Sequence, residues 1–277
     1  MKKKICVFLM LTLLVLSGCK QKDSENSKQK LENELEYISQ KIFNLADKLN
    51  NVVSENYEIS SKEIEVKEES EGSETSSNSG SKEEGKEGKK AETIELEGKS
   101  LLDNNSKEDV NWKYMKQEIE TINNIWSTIS IDLKNEKVAD NVIQSFNAVL
   151  NQTILSIKDE NKKESLNNIM QMYSFIPIFS KEISLENTKK IMEDIKLELI
   201  KSYVSASNED WNSVAMYVTS AQTYFYKISD NNENQNNNFK IDKINSLFQT
   251  LQNSIELQDF QVFLLQYKTL IENINML

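Results

Sequence analysis

The chain contains no histidine and no arginine, so all 33 of its basic residues are lysines. Without histidine it cannot build Ser-His-Asp or Cys-His catalytic groups, and it cannot hold the histidine-containing zinc and di-iron sites. Without arginine it lacks the planar, two-point clamp on carboxylates and phosphates. These absences exclude common hydrolase and metalloenzyme classes. We therefore expect a protein that is not an enzyme and that uses no metal and no cofactor.

Glycine and proline are also scarce, with six glycines and one proline in 277 residues. Five of the glycines lie between residues 72 and 98, and residues 108–277 contain none. Strands joined by tight turns normally carry glycine or Asn-Gly at those turns. Residues 108–277 instead repeat apolar side chains at helical spacing and contain a single proline, Pro177. The sequence therefore predicts an all-α domain over residues 108–277.

The N-terminus carries three lysines at positions 2–4 and then an apolar run over residues 5–16. That run is too short to span a bilayer core, which needs about 20 residues, and it has the dimensions of a signal peptide. It ends in Leu16, Ser17, Gly18 and Cys19. This stretch resembles the lipobox of bacterial lipoproteins, and the resemblance covers residues 1–19 only. It implies cleavage after Gly18 and attachment of acyl chains such as palmitate at Cys19.

The lipobox resemblance further implies that Cys19 tethers the protein to the outer leaflet of the cytoplasmic membrane, on the extracytoplasmic side. Loss of residues 1–18 removes three lysines and no acidic residue, so the formal net charge falls from −11 to −14. An acidic chain is a poor partner for nucleic acid, whose phosphates require a basic patch. It also lacks a polybasic stretch for anionic lipids. We therefore expect the lipid on Cys19 to supply the membrane contact.

Three segments are predicted between the cleavage site and the helical domain: a tether over residues 19–25, an amphipathic helix over 26–53 and a disordered linker over 54–107. The linker is predicted because its Glu, Lys, Ser and Gly residues bury too little apolar surface to offset chain entropy. Such a linker would serve as a long spacer from which an anchored domain could search for its partner.

The helix over residues 26–53 carries a coiled-coil-like heptad seam on one face. The seam consists of Leu31, Leu35, Ile38, Ile42, Leu45, Leu49 and Val52. Two arrangements satisfy it, namely self-association through residues 31–52 and packing on the main domain. The pattern by itself slightly favours the first, because a lone helix of this length needs a partner.

About seven amphipathic helices are predicted within residues 108–277, arranged as an antiparallel bundle or a short α-solenoid. Pro177 is expected to kink or end the third helix. Ser184, Asn208 and Asp259 are predicted to cap the starts of the fourth, fifth and seventh helices. Asp210-Trp211 and Asp259-Phe260 stand 49 residues apart, and apolar positions around them coincide at that offset. This indicates either a duplicated hairpin or the general likeness of amphipathic hairpins.

Tyr217, Tyr224 and Tyr226 on the fifth helix form a candidate binding surface, since tyrosine suits contacts with peptides, glycans and lipids. The alternative is that the helix is central and buried on two sides. The sequence thus predicts a non-catalytic binding or scaffolding module at the cell envelope, whose partner is an envelope protein, a glycan or a hydrophobic ligand. The alternative functions are a carrier of a hydrophobic small molecule in a helical pocket and, less favoured, a carboxylate-dependent glycan hydrolase.

Overall fold

The computed structural model describes residues 27–49, 110–229 and 238–276. All regular secondary structure in these ranges is helical, which confirms the all-α prediction. Helix α1 covers residues 27–48. The helices that follow are α2 (Trp112–Asn135), α3 (Asp140–Lys158), α4 (Lys162–Tyr173), α5 (Ile176–Glu182), α6 (Asn187–Ser207), α7 (Trp211–Ser229), α8 (Asn238–Ile255) and α9 (Phe260–Ile274). The predicted signal peptide, lipobox, tether and linker lie outside the described residues.

Eight helices therefore lie between residues 112 and 274, where the sequence predicts about seven. The difference arises at the predicted third helix, which is divided into α4 and α5. Helix α4 ends at Tyr173 and α5 begins at Ile176, so Pro177 lies in the first turn of α5. Proline is tolerated there because the N–H groups of a first turn have no partner within the helix. The prediction that Pro177 interrupts this stretch is confirmed.

The helices of this domain end without glycine, in turns whose left-handed residue carries a side chain. Residues in the left-handed conformation lie at Lys137, Glu160, Ser184, Glu209 and Gln258, with φ between 51° and 66°. After α2, the N–H of Lys137 bonds to the carbonyl of Lys134, and the N–H of Val138 bonds to that of Leu133. This pair of bonds is a Schellman motif, in which glycine is the preferred left-handed residue. The turns at Glu160, Ser184 and Glu209 repeat the pattern.

These turns correct two of the three predicted caps. Ser184 adopts a φ of 56° inside the turn after α5, and α6 begins only at Asn187. Asn208 is the C-cap of α6, and it is the Asp210 carboxylate that accepts the Ser213 N–H at the start of α7. The predicted caps thus fall on a left-handed residue in the case of Ser184, and on the residue directly before one in the case of Asn208. The Asp259 cap is confirmed, since its carboxylate accepts the N–H groups of Gln261 and Val262 at 2.9 and 3.0 Å.

Aromatic rings fill the core where α2, α3 and α5 meet. The centroid of the Trp126 ring lies 3.9 Å from that of Phe146 and 5.5 Å from that of Phe179. The indole N–H of Trp126 donates to the side chain of Asn147. A buried tryptophan normally needs such a partner for its one polar group.

Helix α1 is the central helix of the bundle. Eight of its side chains are buried, as is that of Leu49 directly after it, and none of residues 38–49 is exposed. Lys41 bonds to Glu118 on α2 at 2.8 Å, and the ring of Phe43 lies 5.9 Å from that of Tyr173 on α4. Further contacts of α1 involve α6 and α9, through the Glu36–Lys189 ion pair at 2.9 Å and the Asp47–Lys268 pair at 3.5 Å. Four helices of the domain thus surround α1.

The heptad seam from Leu31 to Leu49 is therefore buried within the chain, and its last member, Val52, lies outside the described residues. Of the two arrangements that the sequence allows, the structure shows the packing of the helix on the domain, so the seam is not exposed for pairing with a second copy. Residues 27–49 and 110–276 belong to one compact unit. Residues 54–107 consequently connect two helices of that unit. They do not separate the domain from the N-terminal tether, so the expectation of a long spacer between anchor and domain is wrong.

The 49-residue similarity extends to turn geometry and burial. Glu209 and Gln258 both adopt the left-handed conformation, and each is followed by an aspartate that caps the next helix. Buried residues of α7 coincide with buried residues of α9 at this offset: Val214 with Phe263, Val218 with Tyr267, Ala221 with Leu270 and Phe225 with Ile274. The two hairpins differ in α6, which also packs against α4, α5 and α9. Because α1 is enclosed by other helices, the domain is a bundle around a central helix.

Proteolytic cleavage within residues 54–107 should leave the α1 peptide bound to the C-terminal fragment, because the eight buried side chains of α1 remain in contact with it. Limited trypsin digestion, native size-exclusion chromatography and mass spectrometry should find both fragments in one peak. Tyr37→Asp, at a position that is 49% exposed on α1, should not change this result. Ile42→Asp, at a fully buried position, should separate the fragments. Separation of the unmutated fragments under native conditions would contradict the fold.

Replacement of Lys137 by glycine should raise the free energy of unfolding by about 0.5–1 kcal/mol. A left-handed residue with a Cβ costs roughly 1–2 kcal/mol, and the greater unfolded-state entropy of glycine offsets part of the gain. Lys137→Ala is the matched control, since it removes the same charge and keeps the Cβ, so it should not stabilise. The measurement is urea denaturation followed by circular dichroism. Equal stability of the two variants would show that the turn carries no conformational cost.

Candidate functional site

A buried polar cluster joins α1, α4 and α6. The carboxylate of Glu193, on α6, is 6% exposed, and its Oε2 accepts hydrogen bonds from Ser39 Oγ and Tyr173 OH, both at 2.5 Å. The two hydroxyl oxygens lie 3.1 Å apart. Burial raises the pKa of Tyr173 well above its usual value, and the neighbouring Glu193 carboxylate adds to the effect. Tyr173 therefore remains a protonated donor at neutral pH.

Lys196 lies one helical turn after Glu193 and is 8% exposed. Its Nζ is 3.8 Å from Glu193 Oε1 and 5.8 Å from the centroid of the Phe43 ring. The distance of 3.8 Å exceeds the usual length of a hydrogen bond. Removing two charges from water is costly, and a pair without good hydrogen-bond geometry recovers only part of that cost. Glutamate and lysine are rarely buried to this degree, which makes the pair a candidate site.

Both charged side chains line a cavity of about 180 Å³ between α1, α5, α6 and α9, which we call the Glu193–Lys196 cavity. Its apolar wall consists of Leu35, Leu185, Met192 and Ile274. The ion pair between Glu36 and Lys189 forms a more exposed part of the wall. The cavity thus combines one buried acid and one buried base with an aliphatic surface.

A second cavity, of about 350 Å³, lies between α4, α6 and α9 and is lined by Lys162, Leu166, Tyr203 and Phe260. The rings of Tyr203 and Phe260 are stacked, with centroids 6.2 Å apart. Burial, together with the charge of Lys268, lowers the pKa of Lys162 to about 8. The Tyr203 hydroxyl is buried and has no hydrogen-bond partner among the described residues. We call this the Tyr203–Phe260 cavity.

The three tyrosines predicted as a binding surface do not form one patch. Tyr217 and Tyr224 are half-buried along the edge of α7, where Lys201 Nζ lies 5.5 Å from the Tyr217 ring and Lys227 Nζ lies 4.6 Å from the Tyr224 ring. Tyr226 is 43% exposed and, two positions after Tyr224, lies on a different side of the helix.

Tyr224 also borders a shallow recess of about 240 Å³, together with Thr219, Ser220, Thr223 and Lys227. On the neighbouring helix α6, burial raises the pKa of Asp194, while nearby lysines oppose the shift. This edge of α7 therefore carries Tyr217 and Tyr224, and the ring of each is already in a cation–π contact with a lysine of the same chain.

The sequence does not identify the buried cluster of Ser39, Tyr173, Glu193 and Lys196. These residues come from three separate helices, and three of them, Ser39, Glu193 and Lys196, belong to types that are usually exposed. The one sequence signal is that Glu193 and Lys196 directly follow Met192 and Ile195, which periodicity assigns to the buried face of their helix. A charged pair at i, i+3 beside an apolar stripe is too common on helices to indicate burial.

Comparisons with known proteins identify no relative: no family model matches the chain, and no curated protein and no solved structure matches it. Within residues 27–49, 110–229 and 238–276, no three acidic side chains come close enough together to hold a metal ion. No helix in the described part of the chain is both long enough and apolar enough to cross a membrane.

The buried cluster predicts opposite effects for two tyrosines that are both fully buried. Tyr173→Phe removes a hydrogen bond to a buried carboxylate and should lower the free energy of unfolding by about 1.5–3 kcal/mol. Tyr203→Phe removes a hydroxyl that has no partner and should be neutral or slightly stabilising. Urea denaturation of both variants measures the difference. Equal destabilisation would show that the Glu193 contact contributes nothing to stability.

Proposed function

We propose that the protein is a lipid-anchored, extracytoplasmic binding module that works without catalysis and is held close to the outer leaflet of the cytoplasmic membrane. The observation that carries this proposal is the burial of α1. The first residue of α1 follows Cys19 by eight positions, and the helix forms the centre of the bundle. An anchor on Cys19 would therefore hold the folded domain itself close to the membrane.

The tether sets how far the domain extends from the membrane. Eight residue steps span at most about 29 Å when fully extended. Helix α1, with 22 residues, is about 33 Å long. The domain therefore stays within roughly its own length of the lipid surface, which favours a partner in or beside the membrane.

The direction of α1 determines which end of the bundle lies nearest to the anchor. Near its N-terminus, Lys30 bonds to Asp132 at the C-terminal end of α2. The C-terminal end of α9 lies at the same end, because Leu35 and Ile274 line one cavity while Asp47 pairs with Lys268 earlier in α9. We call this the anchor end.

Apolar side chains are exposed at the anchor end. Phe239 is 79% exposed and Met276 is 64% exposed. Lys240 Nζ donates to the carbonyl of Met276 at 3.3 Å, so these two segments are adjacent. Exposed apolar residues next to an acylated cysteine suit contact with lipid headgroups and the upper acyl chains.

The roles of the acidic residues support binding over hydrolysis. Glu193 accepts two hydrogen bonds inside the bundle, Asp210 caps α7, and Glu209 forms the turn before it. The carboxylates of Glu193 and Asp210 thus have structural roles, and Glu209 contributes its backbone to the turn. A hydrolase of glycans would need two acids facing each other across an open cleft.

Transport of a hydrophobic small molecule is the second candidate function. It is favoured by the Tyr203–Phe260 cavity, whose volume of about 350 Å³ lies at the lower end of the range for ligand pockets. Its stacked rings provide an apolar surface, and Lys162 provides one polar group.

The proposal predicts both membrane retention and orientation. Cys19→Ser should move the protein from the membrane fraction to the soluble fraction, whereas Ser17→Ala, which keeps a small residue in the lipobox, should not. In the lipidated protein, a fluorophore on Phe239→Cys should be quenched by headgroup-labelled lipid far more than one on Leu257→Cys. Both positions are well exposed, at 79% and 65%, and the mature chain has no other free thiol.

Two outcomes of these measurements would count against the proposal. Retention of Cys19→Ser in salt-washed membranes would show that the lipid is not the anchor. Equal quenching at positions 239 and 257 would show that the anchor end does not face the membrane.

A further inference from the structure

The Glu193–Lys196 cavity contains two buried charges whose hydrogen-bonding capacity is incompletely used. Glu193 Oε2 accepts from Ser39 and Tyr173, while the nearest cation to Oε1 in the described part of the chain is Lys196 Nζ at 3.8 Å. Lys196 is 8% exposed and lines the cavity. A carboxylate oxygen and an ammonium group thus lie side by side at the cavity wall without a hydrogen bond between them.

The charges around the cavity select for a ligand without net charge. Its wall carries Glu36, Lys189, Glu193 and Lys196, two acids and two bases. A purely anionic or cationic ligand would add an uncompensated charge in a partly desolvated site, which is costly. A ligand with one positive and one negative group keeps the balance. The ammonium of such a ligand would donate to Glu193 Oε1, and its carboxylate would accept from Lys196 Nζ.

The separation of these two atoms matches a ligand in which one carbon bears both charged groups. Oε1 and Nζ are 3.8 Å apart, so two groups attached to the same carbon of a small molecule can reach both atoms at once. The ammonium and carboxylate of an α-amino acid have this arrangement. Each would make a charge-assisted hydrogen bond, the stronger kind.

The size and the apolar wall of the cavity limit the rest of the ligand. A volume of about 180 Å³ holds on the order of six water molecules at about 30 Å³ each, which suits a molecule with few non-hydrogen atoms. Leu35, Leu185, Met192 and Ile274 provide contacts for an aliphatic group.

We infer that the Glu193–Lys196 cavity binds a small zwitterion, an α-amino acid with a short aliphatic side chain. This site goes beyond the proposed anchoring and does not depend on it. It gives the domain a small-molecule ligand at the junction of α1, α5, α6 and α9, so that α1 contributes directly to the cavity wall.

The test is isothermal titration calorimetry on residues 19–277 carrying Cys19→Ser, a chain that lacks the lipid. The probes are L-valine, isobutylamine, which lacks its carboxylate, and isovalerate, which lacks its ammonium. L-valine should bind saturably, and both one-charge probes should bind at least tenfold more weakly. Because the lipid is absent, failure here is distinct from failure of the anchoring experiment.

Protein variants assign the binding to this cavity. Lys196→Met and Glu193→Gln should each weaken valine binding at least tenfold, and Lys116→Met, which removes an exposed ion pair with Glu160, should leave it unchanged. Met192→Trp fills the cavity without removing a charge and should also weaken binding. This variant tests the site even where loss of a buried charge prevents folding, and circular dichroism identifies such a failure.

Three results would overturn the inference. The first is the absence of saturable valine binding to the folded protein. The second is binding of isobutylamine or isovalerate as tightly as valine, which would show that the site does not recognise both charged groups of the ligand. The third is valine binding that survives both Lys196→Met and Met192→Trp, which would place it elsewhere.

Discussion

The burial of α1 at the centre of the bundle is the interaction on which the rest of the structure depends. Seven of its eight buried side chains are apolar, and full burial of a large apolar side chain contributes about 1.5–3 kcal/mol. The helix also provides one wall for α2, α4, α6 and α9. Without it, these four helices would each expose an apolar strip to water. The segment nearest to the proposed lipid anchor is thus also the segment that completes the core.

Closing the chain between α1 and α2 costs comparatively little. In the sequence, 60 residues, from 50 to 109, separate the described parts of these two segments, and the entropic cost of joining two segments grows only with the logarithm of their separation. A docking segment that belongs to the same chain is also present at a higher local concentration than one on a second copy. This explains why the leucine seam, which resembles a dimerisation seam, packs within its own chain. It also explains how a long Glu/Lys/Ser-rich insertion is compatible with one compact unit.

The core combines tight apolar packing with a few costly features. The left-handed turns are built from lysine, glutamate, serine and glutamine, each with a conformational cost that glycine would avoid. Glu193 and Lys196 are buried as charges, although a buried ion pair is weak evidence for added stability. Left-handed turns of this kind follow several helices of the bundle, whereas the buried charged pair lies at a single cavity. The turns are therefore a general property of a glycine-free domain, and the charged pair is a local feature of that cavity.

The sequence by itself determined the all-α class, the interruption at Pro177, the Asp259 cap and most of the apolar faces, because these depend on residues three or four positions apart. It did not determine the ends of α5 and α6. The left-handed residues of those turns are Ser184 and Glu209, and without glycine the sequence has no signal for a left-handed turn. Only the tertiary structure decided where α1 packs, because a heptad seam is equally satisfied by a second copy or by the domain. It alone assembled the Ser39–Tyr173–Glu193 cluster, whose members are up to 154 residues apart and meet only when three helices pack together.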